Sequence, residues 1–190
     1  AFLYHIAVEK TAKYISQQYA VIYEAAFNFE GVMCAIDILV KKKNKWYAFE
    51  VKGSTKVKER FVMDASLQRY VISNSGLKLE DISIVYLNNQ YVRKGKLDIQ
   101  KLFTSESIAE QVTGNKDFVE QKISELKRLH AEKKQPVIDV GDHCYRPYQC
   151  DFTNHCWENV AEETSTGKKY IDKKSIREFL DEWEYPFCFF

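Results

Sequence analysis

Three polar side chains on two predicted neighbouring strands have the types and spacing of a metal-assisted hydrolytic site. Asp37 interrupts the apolar stretch GVMCAIDILV, and Glu50 and Lys52 lie in the strand WYAFEVKG. Because side chains alternate along a strand, Glu50 and Lys52 project from the same face. An acid such as Asp37 is costly to bury unless it is paired or binds a cation. Neighbouring strands would bring Asp37 beside Glu50, where two carboxylates repel each other unless a divalent ion separates them.

The chemistry of this group is that of hard oxygen ligands and one amine. Asp37 and Glu50, with the backbone carbonyl of Val51, make an all-oxygen site suited to Mg²⁺ or Mn²⁺. Such an ion lowers the pKa of a bound water and stabilises charge on a phosphoryl oxygen. Lys52 can orient the attacking water or neutralise the developing charge. The alternative is a surface strand on which Glu50 and Lys52 form a modest ion pair, and it does not explain Asp37.

The elements that position these side chains follow from hydrophobic periodicity and turn residues. The pattern predicts a β-meander, then a helix that stops at Asn74-Ser75-Gly76, then a further strand and two helices. The predicted helices are 1–18, 58–75, 105–112 and 117–134, and the predicted strands are 20–29, 32–41, 46–53 and 82–88. This order predicts an α/β fold with a central mixed sheet flanked by helices.

Two finer predictions concern which side chains share a face. Strict alternation in the second strand separates its residues into two sets, Cys34, Ile36, Ile38 and Val40 on one face and Met33, Ala35, Asp37 and Leu39 on the other. The long helix carries an apolar stripe at helical spacing, Val119, Ile123, Leu126 and His130. A stripe at this spacing is typical of the apolar face of an amphipathic helix.

The series AIDIL, FEVKGS and DASLQRY resembles the PD-(D/E)XK nuclease superfamily, in particular its RecB-like exonuclease branch. The resemblance implies a restriction-endonuclease-like fold with a C-terminal helical and Cys-rich extension. It implies that Asp37 and Glu50 bind the catalytic metal and that Lys52 is the catalytic lysine. It also implies that Gln68, and with it Tyr70, lines the active site or contacts DNA.

Three further residues are secondary candidates for this site. RecB-like enzymes draw a His or Glu from the helix before the sheet, and His5 and Glu9 lie one turn apart there. An exposed helix face is the alternative interpretation of both. Glu24 is another acid in apolar surroundings, inside the first predicted strand.

Three cysteines occur in the segment HCYRPYQCDFTNHCW, and a fourth, Cys34, lies in the second strand. Cys144, Cys150 and Cys156 are spaced more widely than the pairs about two to four residues apart of zinc fingers. The segment resembles the cysteine cluster of iron–sulfur RecB-like nucleases of the AddB and CRISPR-associated types, which implies three ligands of a 4Fe-4S cluster. Cys34 is interpreted as a small core residue. The fourth ligand stays open, with a Zn²⁺ site completed by His143 or His155 as the alternative.

The net charge of +1 hides a local excess of positive charge around the predicted site. Residues 41–60 hold eight basic side chains against two acidic ones. A phosphate backbone would lie along such a surface, so we expect Lys56, Lys58 and Arg60 to contact DNA. The near balance of 28 basic and 27 acidic residues excludes a globally basic nucleic-acid coat.

The rest of the chain indicates a folded protein without a membrane segment. Hydrophobic residues make up 45% of the chain, enough for a core, and no uncharged apolar run approaches the roughly 20 residues of a membrane helix. The first residues lack the layout of a signal peptide, so we expect a cytoplasmic protein. We divide the chain into a nuclease core with following helices (1–135), a Cys-rich segment (136–160) and a linker, helix and start of a possible second domain (161–190). The later segments of this chain resemble a bacterial family in which a RecB-like nuclease precedes a second, exonuclease-like domain.

The predicted function is metal-dependent hydrolysis of DNA, as an exonuclease on single-stranded DNA or on DNA with free ends. The alternative is a non-catalytic DNA-binding or adaptor module that keeps the nuclease fold and uses its cysteines for a structural metal site. The joint presence of Asp37, Glu50 and Lys52 favours the enzyme, because a module without catalysis has no need of so costly a cluster.

Overall fold

The structure, a computed structural model, describes residues 4–132, 138–146 and 148–158. The chain divides into two compact units, Ala1–Lys134 and Gln135–Phe190. The expectations for residues 161–190 lie outside the described residues. In chain order the elements are α1 (Tyr4–Ser16), β1 (Val21–Phe29), β2 (Val32–Lys42), β3 (Lys45–Lys52), α2 (Glu59–Asn74), β4 (Leu79–Leu87), α3 (Ile99–Leu102), β5 (Phe103–Ser107), α4 (Ala109–Gly114), α5 (Lys116–Glu132), a 3₁₀ helix (Asp142–Cys144) and α6 (Thr153–Glu158).

The first unit is an α/β fold around one mixed sheet whose strands lie in the order β1-β2-β3-β4-β5. β1, β2 and β3 form the predicted antiparallel meander, β3 pairs with β4 in parallel, and β5 is antiparallel to β4. Parallel neighbours need a crossover connection, and α2 supplies it. The coarse fold class, a mixed sheet flanked by helices, is therefore confirmed.

Two-residue turns join the strands of the meander. In the β2–β3 turn, Lys43 and Asn44 have φ of 48° and 66°, and in the β1–β2 turn Glu30 and Gly31 have φ of 48° and 82°. Turns with two positive φ values match the right-handed twist of the strands that they connect. These turns set the register that later brings the site residues together.

α2 ends where the sequence predicts, in a Schellman motif. Gly76 adopts φ of 92°, its N–H donates to the Ser73 carbonyl at 3.2 Å, and the Leu77 N–H donates to the Ile72 carbonyl at 3.3 Å. A glycine takes this left-handed conformation at little steric cost, so the chain can leave the helix and enter β4.

The core lies where α2 packs against the sheet. Fully buried aliphatic side chains from both layers meet there, among them Ile36, Leu39, Ala65, Ile72, Ile82 and Ile84. The short helix α4 adds Val112 and its flanking residue Ile108 to the same cluster. Because the inner face is so well filled, a polar group placed on it has little access to water.

α1 covers the outer edge of the sheet. β1 is an edge strand, and the buried Thr11 hydroxyl accepts a hydrogen bond of 2.9 Å from the Ala26 N–H. The bond satisfies a backbone donor that would otherwise be buried without a partner. It also blocks one N–H of an edge that could pair with another chain.

Two predictions about the later elements are wrong. The predicted helix 105–112 begins only at Ala109, because residues up to Ser107 form β5 on the free edge of β4. Within the predicted stripe of α5, Val119 and Ile123 are buried, whereas Leu126 and His130 are exposed. The apolar periodicity of α5 therefore extends beyond the part of the helix that packs against the core. None of the helices among the described residues is long and apolar enough to cross a membrane.

Candidate active site

The two predicted carboxylates meet where β2 and β3 separate. The β2–β3 ladder is paired up to Ile38 and Phe49, one residue short of Asp37 and Glu50. Beyond that pair the Asp37 carboxylate accepts a hydrogen bond of 2.6 Å from the Val51 N–H. The side chain of β2 therefore replaces its backbone as the partner of β3, which holds Asp37 beside Glu50 and Val51.

The ladder between β1 and β2 is interrupted at Asp37. The partners Tyr23–Ile38 and Ala25–Ile36 flank Glu24, which stands opposite Asp37 outside the ladder with φ of 50°. A left-handed conformation at a residue other than glycine costs roughly 1–2 kcal/mol. Such strain often accompanies a functional site, and here it adjoins one of the two carboxylates.

This interruption also overturns the predicted faces of β2. Ile36 and Leu39 are both fully buried in one core cluster although they lie three residues apart, so the strict alternation that placed them on opposite faces of β2 is wrong. The interruption at Glu24 lets the strands change the face that they turn toward the core. The prediction for β3 is confirmed, because Trp46, Ala48 and Glu50 are all buried.

Glu50 is a buried carboxylate with a partner on each oxygen. The residue is 7% exposed. Its carboxylate accepts hydrogen bonds from Lys52 Nζ at 2.9 Å and from Gln68 Nε2 at 2.9 Å. Burial raises the pKa of Glu50 above its ordinary value, although the bonds from Lys52 and Gln68 oppose the shift; the negative charge of Asp37 adds to the increase. Positive charge placed beside Glu50 therefore stabilises its ionised form.

Lys52 supplies a positive charge next to Glu50. Its ammonium group lies between the carboxylates of Glu50 and Asp64, and Nζ is 2.7 Å from Asp64. The same Nζ lies 5.6 Å from the centre of the Phe61 ring. Burial alone would lower the pKa of Lys52, but the hydrogen bonds to Asp64 and Glu50 outweigh it and the pKa is raised. Lys52 is therefore protonated at neutral pH and acts as a donor and a cation.

Asp64 is the site residue that the sequence analysis missed. It lies four residues before Gln68 on α2, so the two side chains share one face of the helix. Both reach β3 from above, Asp64 to Lys52 and Gln68 to Glu50. This spacing within DASLQRY is the signal that could have identified Asp64.

Gln68 closes the site from the helix. Its amide donates to the Ala35 carbonyl at 3.1 Å as well as to Glu50, while its Oε1 atom is buried without a hydrogen-bond partner among the described residues. An unpaired buried acceptor costs free energy. The unpaired Oε1 atom and the carboxylates of Asp37 and Glu50 are oxygen atoms of the kind that a hard divalent ion takes as ligands. Within the described residues, no three His, Cys, Asp or Glu side chains form a group able to hold a metal, so such a site must also use amide, backbone or water oxygens.

The secondary candidates take different places. His5 and Glu9 are exposed on α1, and α1 packs against β1, at the other edge of the meander from β3. The Tyr70 ring packs edge-on against Phe29 at 6.0 Å, as part of the side chains around the core. We call Asp37, Glu50, Lys52, Asp64 and Gln68 the carboxylate cluster. Of the secondary candidates, only Glu24 adjoins a residue of this cluster, Asp37.

The basic residues of 41–60 separate into two groups at opposite ends of β3. The β2–β3 turn carries Lys42, Lys43 and Lys45, whereas Lys56, Lys58 and Arg60 follow Lys52. At about 3.3 Å per residue, the length of β3 keeps the groups roughly 20 Å apart. Lys58 and Arg60 lie 5.9 and 5.1 Å from the Phe61 ring, which Lys52 also contacts. Only this second group is placed to meet a phosphate at the carboxylates.

The cysteines differ in setting. Cys34 is partly buried, with Sγ 3.8 Å from the Gln68 carbonyl; burial, followed by the charges of Glu50 and Asp64, raises the pKa of its thiol to about 12. It is a protonated neighbour of the carboxylate cluster, whereas the sequence placed it on the side of the strand away from Asp37.

In the second unit Cys144 is buried, Cys150 is exposed, and the Cys150 N–H donates to the Cys144 carbonyl at 2.8 Å. Cys156 lies on α6.

These contacts do not assemble the three late cysteines into a metal site. Among the described residues, no three His, Cys, Asp or Glu side chains lie together as a group that could hold a metal, so Cys144, Cys150 and Cys156 do not meet at one site. The 4Fe-4S cluster stays a prediction from the resemblance.

Comparison with known proteins gives no match: neither a protein-family model nor a curated protein corresponds to this chain. The function is therefore inferred from the chemistry of the carboxylate cluster.

Proposed function

We propose that this protein is a metal-dependent DNA nuclease that hydrolyses phosphodiester bonds, acting as an exonuclease on single-stranded DNA or on free ends. The observation that carries the proposal is the placement of Glu50, 7% exposed, beside the Asp37 carboxylate on the neighbouring strand. A buried acid beside a second, partly exposed acid is unfavourable for stability alone. Such a pair is useful where a cation has to be bound.

The fold supports the same proposal. A central mixed sheet flanked by helices agrees with the fold that the resemblance implies. The acids lie on β2 and β3 of the antiparallel meander, and Gln68 approaches from the crossover helix. Lys52 and Gln68 both contact Glu50, and Asp37 accepts a hydrogen bond from the Val51 N–H next to Glu50.

The roles follow from the contacts. Asp37 and Glu50 would hold Mg²⁺ or Mn²⁺, with the Val51 carbonyl and Gln68 Oε1 as further oxygen donors. When bound, the ion would supply positive charge for a phosphoryl oxygen and make nearby water more acidic. Lys52, protonated and held by Asp64, would donate a hydrogen bond to the attacking water or to a phosphoryl oxygen. Lys58 and Arg60 would hold the phosphate backbone next to it.

The test is digestion of end-labelled single- and double-stranded DNA with Mg²⁺ or Mn²⁺. Wild type is compared with Lys52→Met and with the matched control Lys45→Met, whose ammonium pairs with Glu80 at the far end of β3. We expect cutting by wild type and Lys45→Met, and a loss of at least about 100-fold for Lys52→Met, the scale of one electrostatic donor. The folded fraction of each variant is measured in the same buffer.

Two results would refute the enzyme. If wild type is inert but binds DNA, the protein is the non-catalytic DNA-binding module of the alternative interpretation. If Lys52→Met, shown to be folded, cuts as fast as Lys45→Met, the cutting does not come from this cluster. The labelled end also gives the polarity of cutting.

A further inference from the structure

A second cationic surface lies outside the carboxylate cluster. The connection between β4 and β5, residues 88–103, lines an open cleft of about 530 Å³. Its lining combines the ammonium groups of Lys94, Lys96 and Lys101 with the amides of Asn88 and Gln90 and with the rings of Tyr91 and Phe103. We call this surface the β4–β5 cleft.

The β4–β5 cleft begins at the edge of the sheet where the candidate active site ends. β3 and β4 are parallel, and Lys52 is the register partner of Tyr86, one residue before the end of β4. The Leu87 N–H donates to the Ser54 carbonyl at 2.8 Å. The connection that forms the cleft therefore starts beside the segment that follows Lys52. A chain bound at the carboxylates needs to extend only a short distance to reach it.

The walls of the cleft are held by their own hydrogen bonds. The Asn88 N–H donates to the Leu102 carbonyl at 2.8 Å, which closes the connection at its base. The Tyr91 hydroxyl accepts from the Asp98 N–H at 2.9 Å, and Asp98 caps α3 by accepting from the Lys101 N–H. A surface of defined shape loses less conformational entropy when it binds a partner than a loose loop would.

The charge of the cleft is unbalanced. Asp98 is the one acidic residue in 88–103 and pairs with Lys101 at 3.2 Å. The side chains of Arg93, Lys94 and Lys96 are exposed in the same connection. Three further cations next to one satisfied ion pair produce a field that attracts a polyanion.

We propose that the β4–β5 cleft binds the backbone of single-stranded nucleic acid that leads to or from the candidate active site. The proposal rests on the proposed function and identifies a second contact surface for its substrate. Cations that follow the phosphates, next to aromatic and apolar surface for unstacked bases, are the combination that single strands require. Phe103 is 39% exposed and Val92 is 72% exposed beside the cations. A duplex would offer phosphates but no base faces.

The test is a binding measurement that does not depend on cutting. A fluorescent oligo-dT and a matching oligo-U are titrated with protein in EDTA, and anisotropy is followed over a series of salt concentrations. The variant combines Lys94→Ala and Lys96→Ala; the control combines Lys42→Ala and Lys43→Ala, which removes the same charge at the far end of β3. Both variants alter exposed side chains, and their unfolding midpoints are measured to show that the fold is intact.

The expected effect follows from counterion release. Each phosphate contact on a single strand contributes about 0.7 to the slope of log K against log salt. Losing two contacts should therefore lower the slope by about 1.4 and the affinity at 0.1 M salt by roughly 25-fold. The control should change affinity less than about twofold. Oligo-dT and oligo-U distinguish DNA from RNA, and either one supports a single-strand surface.

Three outcomes would overturn the proposal: equal losses in both variants, no loss in either, or competition by polyglutamate as effective as that by unlabelled oligo-dT. The last would identify an acidic protein segment as the partner. Failure of the nuclease is a separate result, since localised binding without cutting refutes only the enzyme. Cutting by wild type with unchanged binding in the Lys94/Lys96 variant refutes only the cleft.

Discussion

Replacing Lys52 by Met tests the electrostatics of the cluster without any substrate. Methionine keeps most of the aliphatic stem but removes the ammonium group, so packing near Phe61 is largely preserved. Glu50 then keeps the bond from Gln68 but loses the cation 2.9 Å from its carboxylate. Removing one partner of a buried pair costs more than the pair itself contributes, because the remaining charge is left in a poorly solvated place.

The size of the effect has an upper bound. Glu50 can always escape by taking up a proton, which at pH 7 costs about 1.36 kcal/mol for each pH unit above its ordinary pKa of 4.5. The bound is therefore about 3.4 kcal/mol, and the hydrogen bond from Gln68 reduces the cost below it. We expect Lys52→Met to lower the free energy of unfolding by about 2 kcal/mol at pH 7, since the loss of the bond to half-exposed Asp64 adds only a fraction of 1 kcal/mol.

The pH dependence has a definite sign. A carboxyl group whose pKa is raised on folding binds more protons in the native state than in the unfolded state, so its effect on stability becomes unfavourable as pH rises above 4.5. Lys52→Met removes two of the contacts that lower the pKa of Glu50, and the pKa rises further. The difference from wild type should be small near pH 4, where Glu50 is protonated, and should grow until pH 7.

Urea unfolding in EDTA between pH 4 and pH 7, followed by the fluorescence of buried Trp46, measures this difference. Lys45→Met is again the matched control, because Lys45 and Glu80 have side chains 55% and 40% exposed. It should cost no more than about 0.5 kcal/mol at any pH. Equal costs for the two variants at pH 7, or a Lys52→Met cost as large at pH 4 as at pH 7, would refute the reasoning about Glu50.

Three further predictions concern parts of the frame that hold the cluster. Thr11→Val leaves the buried Ala26 N–H without its acceptor and should lower the free energy of unfolding by about 1–3 kcal/mol with an unchanged urea m-value. Asn44→Gly, at φ of 66°, should raise it by about 0.5 kcal/mol in the same titration, and a loss would contradict the assigned turn. Gln68→Met removes a donor to Glu50 and should cost about 1–2 kcal/mol at pH 7 and less at pH 4, when Glu50 is neutral. A cost that does not depend on pH would mean that Gln68 acts through packing alone.

Periodicity and turn residues are enough to predict the local frame of the first unit. The meander, its turns, the end of α2 at Gly76 and the common face of Glu50 and Lys52 all follow from periodicity and turn chemistry within a few residues. These features depend on contacts between near neighbours in the chain. The pairing of Asp37 with Glu50 also followed, because a tight turn leaves adjacent antiparallel strands only one register.

The tertiary structure decided what depends on groups far apart in sequence. Strict alternation failed between Ile36 and Leu39 because a left-handed residue on the neighbouring strand interrupts the pleat, and no pattern within β2 reports it. β5 forms because β4 leaves an edge to pair with, which overrides the helical preference predicted for 105–112. The basic run of 41–60 separated because β3 carries its two halves to opposite ends.

The carboxylate cluster shows the same division. Its acids on adjacent strands could be paired from spacing, but the partner that holds Lys52 could not. Asp64 approaches from α2, the crossover helix between β3 and β4, and the packing of that helix on the sheet determines which of its turns lies near Lys52. Side chains on one strand are placed by a period of two residues, whereas the meeting of a helix and a sheet is set by the packing of the whole core.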